Sequence, residues 1–185
     1  NNSEIERCNE NIFMLLKSLR EICKDKENAD TIFKDDMIDL LSDFLECDPF
    51  YCLQYVKNEI ILLLKSLLIN NQRYTLLKKN KKINHYLISQ FNRLKNGNVI
   101  ETNLKSSEYL CNKYEFITSA LCQFIEEQEY LKENNKLFTS KNLIHIIDIS
   151  NPNDKIISNL IAMLTKITFY ENNIEYIIQN KEHFS

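Results

Sequence analysis

A single glycine, Gly97, and two prolines, Pro49 and Pro152, are all that 185 residues provide for positive φ and preset turns. Sheet folds built on hairpins rely on those residues at their turns. Their scarcity predicts helices joined by short polar connections. Hydrophobic residues make up 44% of the chain and charged residues 26%, which supplies enough apolar surface for a packed core and argues against disorder. The length suits one domain or a short array of small repeats. Heavy use of Asn, Lys and Ile reads as AT-rich coding, so runs such as Asn70-Asn71 and Asn134-Asn135 carry little functional weight.

Helical periodicity recurs along the chain. Ile12, Leu15, Leu16, Leu19, Ile22 and Cys23 repeat at the 3, 4 and 7 spacing of one helical face and predict a helix over about 9–24. A second stripe runs through Phe33, Met37, Leu40, Leu41 and Phe44, and a third through Leu53, Val56, Ile60, Leu63, Leu64 and Leu67. Leu110, Tyr114, Ile117, Leu121 and Phe124 form a fourth, and Ile157, Leu160, Ile161, Leu164 and Ile167 a fifth. Asp48-Pro49 and Asn151-Pro152 each place a capping side chain before a proline and predict helix starts. Asn96-Gly97-Asn98, with the polar residues up to Ser107, predicts a loop or insertion.

The blocks form a degenerate internal repeat. Leu16-Lys17-Ser18-Leu19 returns as Leu64-Lys65-Ser66-Leu67. A polar break with Asn28, Gln72 or Asn173 follows the long apolar helix, and the next helix is expected to open on an apolar pair. Those pairs are Ile32-Phe33, Leu76-Leu77, Leu137-Phe138 and Ile177-Ile178. Without the 96–107 insertion the period is roughly 40–45 residues, the range of helical solenoids. The pattern resembles the armadillo repeat, most clearly over Leu19–Ile32 and Leu164–Ile177, and the resemblance covers most of the chain. It implies an all-α, right-handed α-solenoid of about four degenerate armadillo-like units, roughly 9–47, 49–96, 108–150 and 152–185. Such units stack to bury their apolar faces and leave a long curved surface for partners.

In the peptide-binding armadillo proteins of nuclear import, a ladder of Asn and Trp on successive third helices holds an extended peptide. The corresponding Asn positions here hold Glu21, Ser66, Gln123 and Lys166, and the chain has no Trp. Gln123 alone offers a similar amide. The departure argues against an import receptor.

Charge is polarised along the chain. Residues 60–100 hold eight cations and no acid, a formal +8, through Lys65, Arg73, Lys78, Lys79, Lys81, Lys82, Arg93 and Lys95. Residues 21–59 hold eleven acids against four lysines, a formal −7. The expected partner-binding residues are Lys65, Arg73, Lys78, Lys79, Lys81, Lys82 and Gln123, facing an acidic protein. Nucleic acid is the alternative partner. The plain reading is a solvated helix end with its acidic and basic faces paired internally or with a second copy. Tyr51, Tyr55, Tyr74, Tyr86, Tyr109 and Phe91 are either groove anchors or core.

Catalytic chemistry finds no foothold in the pattern. One glycine precludes a nucleophile elbow, and no phosphate loop or dinucleotide fingerprint occurs. His85, His145 and His183 are dispersed, and the adjacent pairs Asp35-Asp36 and Glu126-Glu127 diverge by about 100° on a helix. No cofactor, metal or catalytic residue is expected. The six cysteines lack zinc spacing and read as reduced, largely packed thiols. The longest apolar stretch, Ile60–Ile69, is interrupted by Lys65 and too short to span a bilayer. A cytoplasmic, non-catalytic protein-interaction scaffold is expected, as a piece of a longer protein because the chain opens on Asn1. A regulatory or dimerisation domain of a larger protein is a further alternative, and homo-oligomers are compatible with both.

Overall fold

The structure is a computed structural model and describes residues 2–68, 74–97, 107–150 and 153–168. Every regular element among them is a helix. In chain order these are α1 (Asn2–Ile22), α2 (Lys26–Ile32), α3 (Asp35–Glu46), α4 (Gln54–Leu68), α5 (Tyr74–Lys79), α6 (Lys81–Lys95), α7 (Glu108–Phe124), α8 (Gln128–Glu133), α9 (Ser140–Ser150) and α10 (Asp154–Ile167). A short helix of six or seven residues lies between two longer ones three times, in α1–α3, α4–α6 and α7–α9, and α10 is a further longer helix.

Short polar side chains do the work that glycine does elsewhere. Asp25 caps α2 by accepting from the Glu27 and Asn28 amides at 2.9 and 3.1 Å. Asn80 accepts from Ile83 N–H at 3.0 Å, Ser107 from Leu110 at 3.4 Å, and Asn153 from Ile156 at 2.9 Å. Each satisfies a donor that a helix start would otherwise leave bare. Gly97 stands where the chain leaves α6 with φ of 71°, a conformation that costs other residues a steric clash.

The chain divides into two compact units, Asn1–Ile88 and Ser89–Ser185. In the first, α4 is the central helix, packed on both α1 and α3. Val56, Ile60, Ile61, Leu63, Leu64 and Leu67 are all buried, so α4 is apolar around most of its circumference, as a helix covered on several sides must be. Contacts along α1 advance with contacts along α4, so the two run parallel: Asn9 meets Tyr51 and Leu53, Phe13 meets Tyr55, and Arg20 meets Glu59. In the second unit α7 and α10 pair in the same sense. Asn153 and Lys155 meet Glu115, Asn159 meets Thr118, and Lys166 meets Cys122 and Glu126. Phe91, Phe124, Tyr130 and Phe138 pack there with ring centroids 5.5–6.3 Å apart.

Several expectations are corrected. Asp48-Pro49 does not open α4, which starts at Gln54. Asp48 instead accepts from Phe50 N–H at 2.8 Å, and Asn9 of α1 takes the Tyr51 carbonyl and the Leu53 amide, holding 48–53 as a turn. The apolar pairs do not open helices: Ile32-Phe33 closes α2, Leu76-Leu77 lies inside α5, and Leu137-Phe138 falls between α8 and α9. Ile177-Ile178, Gln72, Asn173 and Asn151-Pro152 lie outside the described residues. The buried face of α3 is Ile38, Leu41, Ser42 and Leu45, rotated from the expected stripe, and Leu40 is half exposed. In α1, Leu16 is buried, but Leu15 and Ile22 face solvent because α4 covers the side that carries Asn9, Phe13 and Arg20.

Candidate interaction surface

The basic side chains gather where α5 ends and α6 begins. Lys78 and Lys79 occupy the last turn of α5, where cations meet the negative end of the helix dipole. Lys81 and Lys82 follow in the first turn of α6, where the dipole disfavours them. The acidic face of α3 offsets that. Lys82 Nζ donates to both carboxylate oxygens of Asp43 at 3.0 and 2.9 Å, and this bond holds its ammonium above the usual lysine range. Both side chains remain about half exposed, so the pair contributes little to stability. Asn80, 6% exposed, joins the same junction by donating to Asp39 at 2.7 Å while capping α6.

The other expected residues are placed differently. Lys65 is half-buried near the end of α4. Arg73 lies outside the described residues. Gln123 is half-buried in α7 of the second unit. Lys79, Lys81 and Lys82 are exposed and Lys78 is half-buried, so with Lys82 on Asp43 the accessible cations at the junction centre on Lys79 and Lys81. Of the aromatic anchors, Tyr86 and Phe91 belong to the core at 1% and 0% exposure, whereas Tyr51 and Tyr55 are exposed. Tyr74 and Tyr109 are half-buried.

Lys166 bridges two long helices, α10 and α7. Its ammonium donates to the Cys122 carbonyl at 2.8 Å and to Glu126 at 2.7 Å. Burial opposes its charge, but the Glu126 hydrogen bond and Cys122 outweigh that and raise its pKa. Burial likewise pushes the Cys122 thiol up, with Lys166 pulling against it. Glu21 pairs with Lys24 at the surface, and Ser66 donates to the Leu63 carbonyl.

A second exposed surface was only half legible in the sequence. Phe50 and Tyr51 are 54% and 63% exposed, and with Tyr55 and Phe13 they surround the start of α4. The sequence offers Tyr51 and Tyr55 only as aromatics that are either groove anchors or core. Phe50 carries no periodic signal, because it sits in a turn whose position depends on Asn9, forty residues earlier in the chain.

Cys23, Cys52 and Cys122 are buried, Cys8 is exposed, and all six cysteines are free thiols. Among the described residues no three His, Cys, Asp or Glu side chains are placed to hold a metal ion, and no helix is long and apolar enough to cross a membrane. Comparison of the chain with protein-family models, with curated proteins and with solved structures returned no match.

Proposed function

We propose that this chain is a segment of an armadillo-like α-solenoid, built of about four three-helix units, that serves as a non-catalytic scaffold for a protein partner. One observation supports the reading: the inter-helix side-chain contacts recur at offsets of 38 to 44 residues. Asn9 reaches Tyr51 and Leu53 across 42 and 44 residues, and Arg20 reaches Glu59 across 39. Asp39 and Asp43 reach Asn80 and Lys82 across 41 and 39. In the second unit the offsets are 38, 41 and 44 for Glu115–Asn153, Thr118–Asn159 and Cys122–Lys166. Long helices that pair in parallel need a return path between them, and the short and medium helices supply it. A bundle of antiparallel neighbours on short loops would give offsets that change along each helix pair by about two residues for each residue advanced, not a narrow range. Stacked units of this kind expose long continuous surfaces, which are used for binding partners rather than for chemistry.

The basic junction of α5 and α6 is the proposed face for an acidic partner. Lys79 and Lys81 carry it, while Lys82 is engaged by Asp43. Titration with a labelled oligoglutamate peptide and with duplex DNA tests this. Wild-type protein is expected to bind the peptide saturably, and Lys79→Glu/Lys81→Glu to weaken it by about tenfold, or 1.4 kcal/mol, with an unchanged melt. Absence of peptide binding, or equal binding by the variant, overturns the basic face. Tighter binding of DNA with a steep salt dependence replaces it with a nucleic-acid reading.

A further inference from the structure

The turn between α3 and α4 is held rigidly and yet displays large aromatic side chains. Asp48 O accepts from both Tyr51 and Cys52 N–H at 3.0 Å, and its carboxylate takes the Phe50 amide. Asn9, 1% exposed, locks the far side of the turn to α1 through the Tyr51 carbonyl at 3.0 Å and the Leu53 amide at 2.8 Å. A buried amide that satisfies two backbone groups of a loop fixes where that loop's side chains go. Phe50 and Tyr51 are packed edge to face at 5.1 Å, and Phe13 and Tyr55 do the same at 5.4 Å. Beside them a cavity of about 280 Å³ is lined by Asn2, Ile5, Glu6, Pro49, Phe50 and Leu53.

The charge around this cavity is negative. Glu6 is part of its wall, and Glu10 lies one turn further along the same face of α1. Glu6, Glu10 and Phe13 fall at i, i+4 and i+7 on one face of α1, the face whose Phe13 ring packs on Tyr55, and the Tyr55 phenol is pushed up by burial first and then by Glu10 and Glu6. Both are exposed, and neither forms an ion pair among the described residues. Arg7, the adjacent cation, points about 100° away from Glu6 but is an i,i+3 neighbour of Glu10, so the two carboxylates outnumber it and the charge stays negative. Aromatic faces and free carboxylates together favour a cation carried on an apolar stem. The cavity is smaller than the usual 300–1,000 Å³ of a small-molecule site, which suits a side chain.

We propose that the groove formed by α1 and the 48–53 turn docks a basic segment of a partner protein, its lysine or arginine stem lying against Pro49, Phe50 and Leu53 and its charge between Glu6 and Glu10. The acidic-partner face at Lys79 and Lys81 is a separate surface, and the two are tested with opposite probes.

Binding of a labelled oligolysine peptide to the full chain decides it. Phe50→Ala/Tyr51→Ala removes the aromatic wall without changing charge, and Glu6→Gln/Glu10→Gln removes the carboxylates. Asp35→Asn/Asp36→Asn removes the same charge from the exposed first turn of α3 and controls for general attraction. Each groove variant is expected to weaken binding about tenfold, and the α3 variant less than about twofold. Equal weakening by the α3 variant, a loss confined to the carboxylate pair, or no saturable binding by wild type overturns the proposal. Lys79→Glu/Lys81→Glu is expected to leave oligolysine affinity unreduced, so this result stands or falls independently of the basic face.

Discussion

Arg20, near the end of α1, forms an ion pair with Glu59 of α4, whose side chain is only 6% exposed. The carboxylate lies inside the helix interface and the guanidinium reaches it from the edge. Pairing compensates a charge that would otherwise be desolvated without return. Arg20→Ala is therefore expected to destabilise the first unit by about 3 kcal/mol. Arg20→Met/Glu59→Leu is expected to recover most of that, because well-packed apolar groups replace a buried pair at little net cost. Denaturant titration of both variants checks the pair, and a double variant as unstable as the single one contradicts it.

Leu64 and Leu15 look equivalent in the sequence, each on an apolar stripe. Their exposures are 0% and 60%. Leu64→Ala is expected to cost about 3 kcal/mol, and Leu64→Asp or Leu164→Asp to prevent folding. Leu15→Lys is expected to shift stability by no more than about 0.5 kcal/mol. Circular dichroism melts of the four variants separate the two faces, and equal losses at Leu15 and Leu64 contradict the packing.

Burial pushes the Tyr114 hydroxyl from 10.0 up to about 12, with Arg93 opposing. Its folded pKa is raised, so the stabilisation is fully present below pH 10 and is lost as pH rises towards 12. The unfolded chain releases this proton first, and stability falls by about 2–3 kcal/mol across that window. Tyr130 is shifted in the same direction by burial. Tyr114→Phe is expected to flatten part of the alkaline slope, and Tyr114→Phe/Tyr130→Phe more of it. Denaturant titrations at stepped alkaline pH measure the slope directly.

Asn153 both caps α10 and donates to Glu115 of α7 at 3.0 Å. Asn153→Ala is expected to cost about 2 kcal/mol, the upper end for a lost cap, because an inter-helix bond goes with it. Asn153→Ser restores the cap alone and is expected to regain about half. Thermal melts of the pair distinguish the two contributions, and a full recovery by serine shows that the Glu115 bond contributes nothing.

Helical class and the places of α1, α3, α4, α7 and α10 were legible because both are local properties, whereas α6, as long as α4, has no stripe among those read from the sequence. Glycine scarcity removes turn-rich alternatives, and the 3.6-residue spacing of Val56, Ile60, Leu63, Leu64 and Leu67 marks α4 whatever surrounds it. The end of α6 at Gly97 was legible for the same reason, since positive φ is a property of the residue itself, while residues 98–106 of the expected loop lie outside the described residues. Short helices were not. Residues 26–32 and 128–133 are too few for a periodic signal, and isolated helices of that length gain their stability from packing.

Tertiary structure decided which of two similar faces is buried and which charges are spent. Local spacing gives Leu15 and Leu16 equal standing, and only the position of α4 buries one and exposes the other. Composition gives Lys79, Lys81 and Lys82 one identity, and only the approach of α3 assigns Lys82 to Asp43. The proline turn at 49 became an aromatic surface because Asn9, far back in the chain, holds its backbone. Periodicity acts over a few residues through the helix pitch, whereas these choices depend on contacts between residues about forty positions apart, which no local pattern encodes.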